Sequence, residues 1–189
     1  MFRRRAQKPL YNRVLYFFWP KNGWRRAGEY IWHRLHRLPG SPYSIAAGLA
    51  TGAAFSVTPL LGIHFFLAAL FAWGIRGNVV ASAVGTVIGN PWTFPVIWIS
   101  TYQVGRFILG QEVPLQTELD FTAMFMGLLQ SMIEADSNIF VEEVWPIWLV
   151  MAVGSIPFAI VTWISVYIIF YRLTETYQNR RNRNTGRAK

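Results

Sequence analysis

From Val79 to Gly105 no side chain carries a charge, and in the middle of that run the stretch VIGNPWTFPV, residues 87 to 96, places an asparagine and two prolines. Proline lacks the backbone donor and its ring clashes with the preceding turn, so Pro91 and Pro95 interrupt any helix passing through. In water this would read as a loop. The uncharged flanks on both sides are a lipid-facing composition, which puts the break inside a membrane-type segment. Backbone groups freed at such a break are tolerated only inside protein or beside water, and this condition governs everything the chain can build.

The remaining sequence fits that class. Hydrophobic residues make up 53% and charged residues 14% of the 189, and the mean hydropathy is positive, as in membrane proteins. Three long apolar stretches and two charged ends leave no room for a separate soluble enzyme domain. No cysteine is present, which excludes disulfides, thiolate catalysis and Cys-based metal sites.

The charges are sorted by region. Residues 1–42 hold ten Lys/Arg and one acid, residues 110–145 hold seven acids and no Lys/Arg, and residues 172–189 hold six Lys/Arg and one acid. Only Arg76 and Arg106 lie between. By the positive-inside rule both termini are cytoplasmic and the acidic segment external. Basic ends flanking uncharged spans signal topology and anionic lipid, and nucleic acid is not expected as a partner.

The expected organisation is a basic cytoplasmic or interfacial region (1–42), a membrane domain (43–171) and a basic cytoplasmic tail (172–189). No cleavable signal peptide is apparent, because the apolar patch at 14–20 is short and no small-residue site follows. In WRRAGEYIWHRLHRL, residues 24–38, Trp24, Ile31, Leu35 and Leu38 share a helical stripe with the arginines largely off it, the pattern of a helix in the headgroup layer. His33 and His36 lack a third ligand and read as titratable surface groups, so no metal site is expected.

The first apolar stretch, 43–75, would extend about 50 Å as one helix, against a hydrocarbon core of about 30 Å. It is broken at TPLLGIH, around Pro59 and Gly62, into arms too short to cross alone, which reads as a re-entrant hairpin. The second stretch, 79–109, repeats the arrangement, broken around Gly89, Pro91 and Pro95. Small residues recur four apart in both leading arms, Gly48 and Gly52 in one and Ala81, Gly85 and Gly89 in the other. Such stripes permit close backbone contact, including contact between copies of the chain.

A cytoplasmic N-terminus and an external acidic segment require an odd number of crossings between 43 and 110. The economical arrangement makes 43–75 the hairpin, returns Arg76 to the cytoplasm, and lets 79–109 cross once, kinked at Asn90. The mirror arrangement leaves Arg76 outside, and three crossings from four short arms also satisfy the count; which segment is re-entrant stays open. Within the external segment 110–143, residues 119–136 read as an interfacial helix. The final span, 144–171, is uncharged, begins at Trp145 and Trp148 and ends at Tyr167 and Tyr171, in keeping with two aromatic belts. Pro157 kinks it. The fold class is therefore all-α and integral to the membrane, combining broken or re-entrant hairpins, a C-terminal transmembrane helix and interfacial amphipathic helices.

PYSIAAGLATGAAFSVTPLLGIH, the RGN of 76–78, GTVIGNPWTFPVIW and YQVGRFILG resemble the core signature of the bacterial membrane family catalogued as domain of unknown function 2062, over about residues 37–110. Where that family often has a glutamine or another polar residue near the first break, this chain has Leu61-Gly62-Ile63-His64, so a polar role there rests on His64. The resemblance implies the bacterial inner membrane and, since some relatives accompany glycosyltransferases, a link to envelope biogenesis. It supplies no activity.

Helices starting near Pro59 and Pro95 would expose N–H groups at membrane depth, and paired interrupted segments are the best sequence pointer to a transport site. Helix N-termini attract anions, with Thr58, Asn90 and Thr93 as hydrogen-bonding groups. His64 is the ionisable residue of the first stretch, and Arg76 with Asn78 could meet a head group. The opposing account has Thr58, Asn90 and Thr93 capping broken helices, His64 bonded to a carbonyl, and Asn78 as an N-cap. Two functions follow: a carrier or flippase for an anionic amphiphile, phospholipid or polyprenyl phosphate, or a non-transporting scaffold or accessory subunit of an envelope enzyme. Catalysis ranks last, because no nucleophile triad, carboxylate pair or metal cluster lies in the membrane segments. No cofactor is expected; the expected partners are anionic lipids, with a second copy or an envelope enzyme beside them.

Overall fold

A computed structural model describes residues 38–60, 62–90, 92–110, 126 and 144–186. These residues are helical and include no strand. The helices are α1 (Pro42–Ser56), α2 (Ile63–Gly74), α3 (Val79–Gly85) extended by a 3₁₀ turn (Thr86–Ile88), α4 (Phe94–Ile108) and α5 (Trp145–Gly186). The expected interfacial helices at 24–38 and 119–136 lie outside the described residues apart from Leu38 and Met126, as does Pro91.

Local chemistry explains the ends. Ser41 caps α1 by accepting the Ser44 N–H at 3.2 Å, with proline at the helix start, where its missing donor costs nothing. At the other end the Thr58 hydroxyl donates to the Phe55 carbonyl at 2.6 Å, satisfying one of the carbonyls a helix C-terminus leaves over. The next helix begins at Ile63 and not near Pro59, because Pro59 and Leu60 belong to the turn: the buried Pro59 carbonyl accepts the Trp148 indole N–H at 3.1 Å. A Schellman motif ends α2, with Gly77 N–H donating to Ala72 O at 2.7 Å and Arg76 N–H to Trp73 O at 3.0 Å. Asn78 then caps α3, accepting the Ala81 N–H at 2.9 Å.

Side-chain contacts fix the directions. At one end the Tyr43 ring meets Tyr167 edge-on at 6.2 Å, the Tyr43 hydroxyl donates to Ile75 O at 2.9 Å, Asn78 N–H donates to Ser44 O at 2.7 Å, and the Gln178 amide donates to Gly40 O at 3.0 Å. At the other, Trp148 holds Pro59, and Gly105 near the end of α4 packs on Val150 near the start of α5. Helix α1 therefore runs antiparallel to α5 and α2 returns to where α1 began. Both α3 and α4 run opposite to α5. Trp148 and Tyr167 are separated by about 28 Å along a helix.

Glycine sets two of the contacts. A methyl group at Gly52 would overlap Ser82 O, and one at Gly85 would overlap Leu49 O, so α1 and α3 touch backbone to backbone. Between α4 and α5 the same is true of Gly105 against Val150 O and Gly154 against Thr101 O. The Gly48/Gly52 stripe, which would also permit contact between copies, is thus occupied by Asn78 and α3 of its own chain. Trp163 bridges α5 to α1 by donating to Thr51 Oγ at 3.2 Å. Trp145–Arg181 is the one described helix long and apolar enough to cross a membrane, and only 22% of its apolar window is buried.

Candidate functional site

The two breaks come together, though not as a shared polar cavity. Gly89 lies against Ser56, where an added methyl would stand 2.8 Å from the Ser56 carbonyl. The first break sits level with Trp148, near the start of α5 and not at mid-span. At the second, Asn90 and Thr93 spend their polar atoms on each other and on the loop. Asn90 Oδ1 accepts the Trp92 and Thr93 N–H groups at 3.0 and 3.1 Å, and Asn90 O accepts the Phe94 N–H at 2.9 Å. The Thr93 hydroxyl accepts the Asn90 N–H at 3.0 Å and donates to Ile88 O at 2.7 Å. Pro95, in the first turn, has no N–H to offer. Most of the donors expected to draw an anion to the start of α4 are consumed by this loop. The start of α2 differs: Gly62 is exposed at φ 76° and makes no side-chain cap.

His64 follows that uncapped start. Its Nδ1 lies 3.0 Å from Leu60 O; a carbonyl only accepts, so Nδ1 carries a proton and donates to it. The residue is 4% exposed and Nε2 has no hydrogen-bond partner. A buried polar atom left so costs about 1–3 kcal/mol.

Arg76 and Asn78 lie at the opposite end of α1 from the breaks, so the six sequence candidates form two groups. Asn78 is fully engaged in the junction: besides capping α3 it donates its side-chain amide to Pro39 O at 3.0 Å. Arg76 is exposed and sits at φ 58°, a left-handed conformation that costs a non-glycine residue about 1–2 kcal/mol. Among the described residues Glu175 is the only acid.

Two features were missed in the sequence. Arg106, on the last turn of α4, is 8% exposed with its guanidinium 5.6 Å from the Tyr102 ring; its signal was a lone charge one residue after the glycine that packs on α5. The other is an apolar groove of about 450 Å³, lined by Phe55 and by one face of α2 between Leu67 and Ile75. No sequence period marks it, because it is made by two helices. No group of three His, Asp or Glu able to hold a metal occurs among the described residues.

Over residues 25–183 the chain matches the family model described as uncharacterized protein conserved in bacteria (DUF2062), and it belongs to that family. The matched length extends beyond the 37–110 core on which the resemblance was read. No curated protein and no solved structure matches it.

Proposed function

We propose that this DUF2062 protein is an integral protein of the bacterial inner membrane that carries an anionic amphiphile, a phospholipid or polyprenyl phosphate, between leaflets during envelope biogenesis. In this reading α1–α2 is the re-entrant hairpin, α3–α4 is one broken crossing and α5 a second, with Arg76, Asn78 and both termini cytoplasmic. The helix directions support it: the ends at Tyr43, Ile75 and Asn78 gather where α5 leads into the basic tail, and the Gly105 end gathers at Val150.

One observation carries the transport reading. Two interrupted helices abut at Ser56 and Gly89, and the first turn of the helix after the first break holds a buried imidazole whose Nε2 has no hydrogen-bond partner; ionisable groups inside a membrane are functional by default. The scaffold reading draws on a different observation, the closure of Thr58, Asn90 and Thr93 onto their own backbone. Purified protein reconstituted into phosphatidylglycerol vesicles separates them. The carrier moves a labelled phospholipid across the bilayer faster than protein-free vesicles do, and His64→Leu slows it. Wild-type protein that moves no lipid, while crosslinking in cells recovers a partner enzyme, would leave the scaffold standing.

A further inference from the structure

The groove between α1 and α2 ends beside a cation. Its lining includes Phe55 and Phe71, whose rings pack at 5.7 Å, and at the end of α2 Gly74 and Ile75. The lining side chains are all apolar, and the Ile75 carbonyl is taken by the Tyr43 hydroxyl. One residue further along stands the exposed Arg76. Arginine near a helix C-terminus often caps the last carbonyls, but here backbone N–H groups already hold those of Phe71, Ala72 and Trp73. The acid among the described residues, Glu175, makes no ion pair with it. The left-handed backbone at Arg76 would suit glycine better, so a cation is kept at a position that disfavours it.

We infer that this groove is a lipid site: it takes one acyl chain of an anionic phospholipid, whose phosphodiester is held by the Arg76 guanidinium at the mouth. An apolar slot of this volume lies within the 300–1,000 Å³ of small-molecule sites, and a guanidinium matches a phosphate better than a zwitterion's compensated charge. The Tyr43–Tyr167 contact puts the mouth at the level of an aromatic belt, where head groups lie. The inference rests on the membrane placement proposed above and not on transport.

Two substitutions test it without threatening the fold. Gly74 lines the groove, yet a Cβ there meets nothing within 4 Å, so Gly74→Leu fills the slot while improving helix propensity. Arg76→Gly removes the cation and relieves the backbone, so it melts no lower than wild type. Full-length protein in mild detergent is offered equal phosphatidylglycerol and phosphatidylcholine, and bound lipid is read by native mass spectrometry. Wild type retains one phosphatidylglycerol in preference, and either substitution lowers that retention about tenfold. Retention unchanged in either variant, no preference between the lipids, or a second copy crosslinked through Leu70 would overturn the site. Protein that fails here yet moves lipid in vesicles keeps the carrier and loses the groove; protein that binds here and moves none does the reverse.

Discussion

Helices α1 and α2 are consecutive, 15 and 12 residues long, and opposite in what they hide. The buried part of α1 is mostly Ala, Gly, Ser and Thr, wrapped by α2, α3 and α5. In α2 only His64, Ala68 and Ala72 are buried, while Phe66 is 67% and Trp73 71% exposed. Water would demand the reverse, with the large side chains inside. Small residues packed within and large ones outside is the arrangement that suits lipid, where close backbone approach drives association and exposed apolar surface costs nothing.

The contrast can be broken by substitution. Gly52→Leu should have the largest effect, because even a Cβ overlaps the Ser82 carbonyl and α3 must move away; a cost of about 4 kcal/mol or more follows, seen as loss of a monodisperse species in size-exclusion chromatography. On α2 the buried face should behave like a milder α1. Ala68 is fully buried, and Ala68→Leu should cost about 1–3 kcal/mol as an overpacking change, measured as a lower melting temperature in detergent. Two residues away, Phe66→Leu should change stability by no more than about 0.5 kcal/mol. A Phe66 effect as large as that at Ala68 would mean that something else covers the outer face of α2.

Both breaks, the return at residues 75–78, the Asn78 cap and the long last helix could be read from the chain, because proline, glycine and charge act locally. Partner choice could not. The Gly48/Gly52 stripe states that some backbone comes close, and whether that backbone is α3 or another copy depends on a tertiary fit no period encodes. The exhaustion of Asn90 and Thr93 was invisible for the same reason: a polar residue beside proline has the same sequence whether it faces a ligand or its own loop. His64 was identifiable as an unusual residue, whereas the division of labour between its two nitrogens required the position of Leu60 O.

Helix α5 runs 42 residues without interruption, so its continuation past Tyr167 and Tyr171, the aromatic belt of the proposed placement, is a stiff boom. Arg183 stands about 18 Å along the axis beyond Tyr171. Leaning by 40°, the upper end of the range for membrane helices, still leaves it about 14 Å from that level, further than the roughly 8 Å over which charge is felt in physiological salt. With α5 placed across the membrane as proposed, the protein would present two electrically independent layers of arginine. In that placement Arg76 and Arg172 would sit within reach of lipid phosphates while Arg183 would address whatever is dissolved in the water beneath, and shortening the boom by two turns would merge the two.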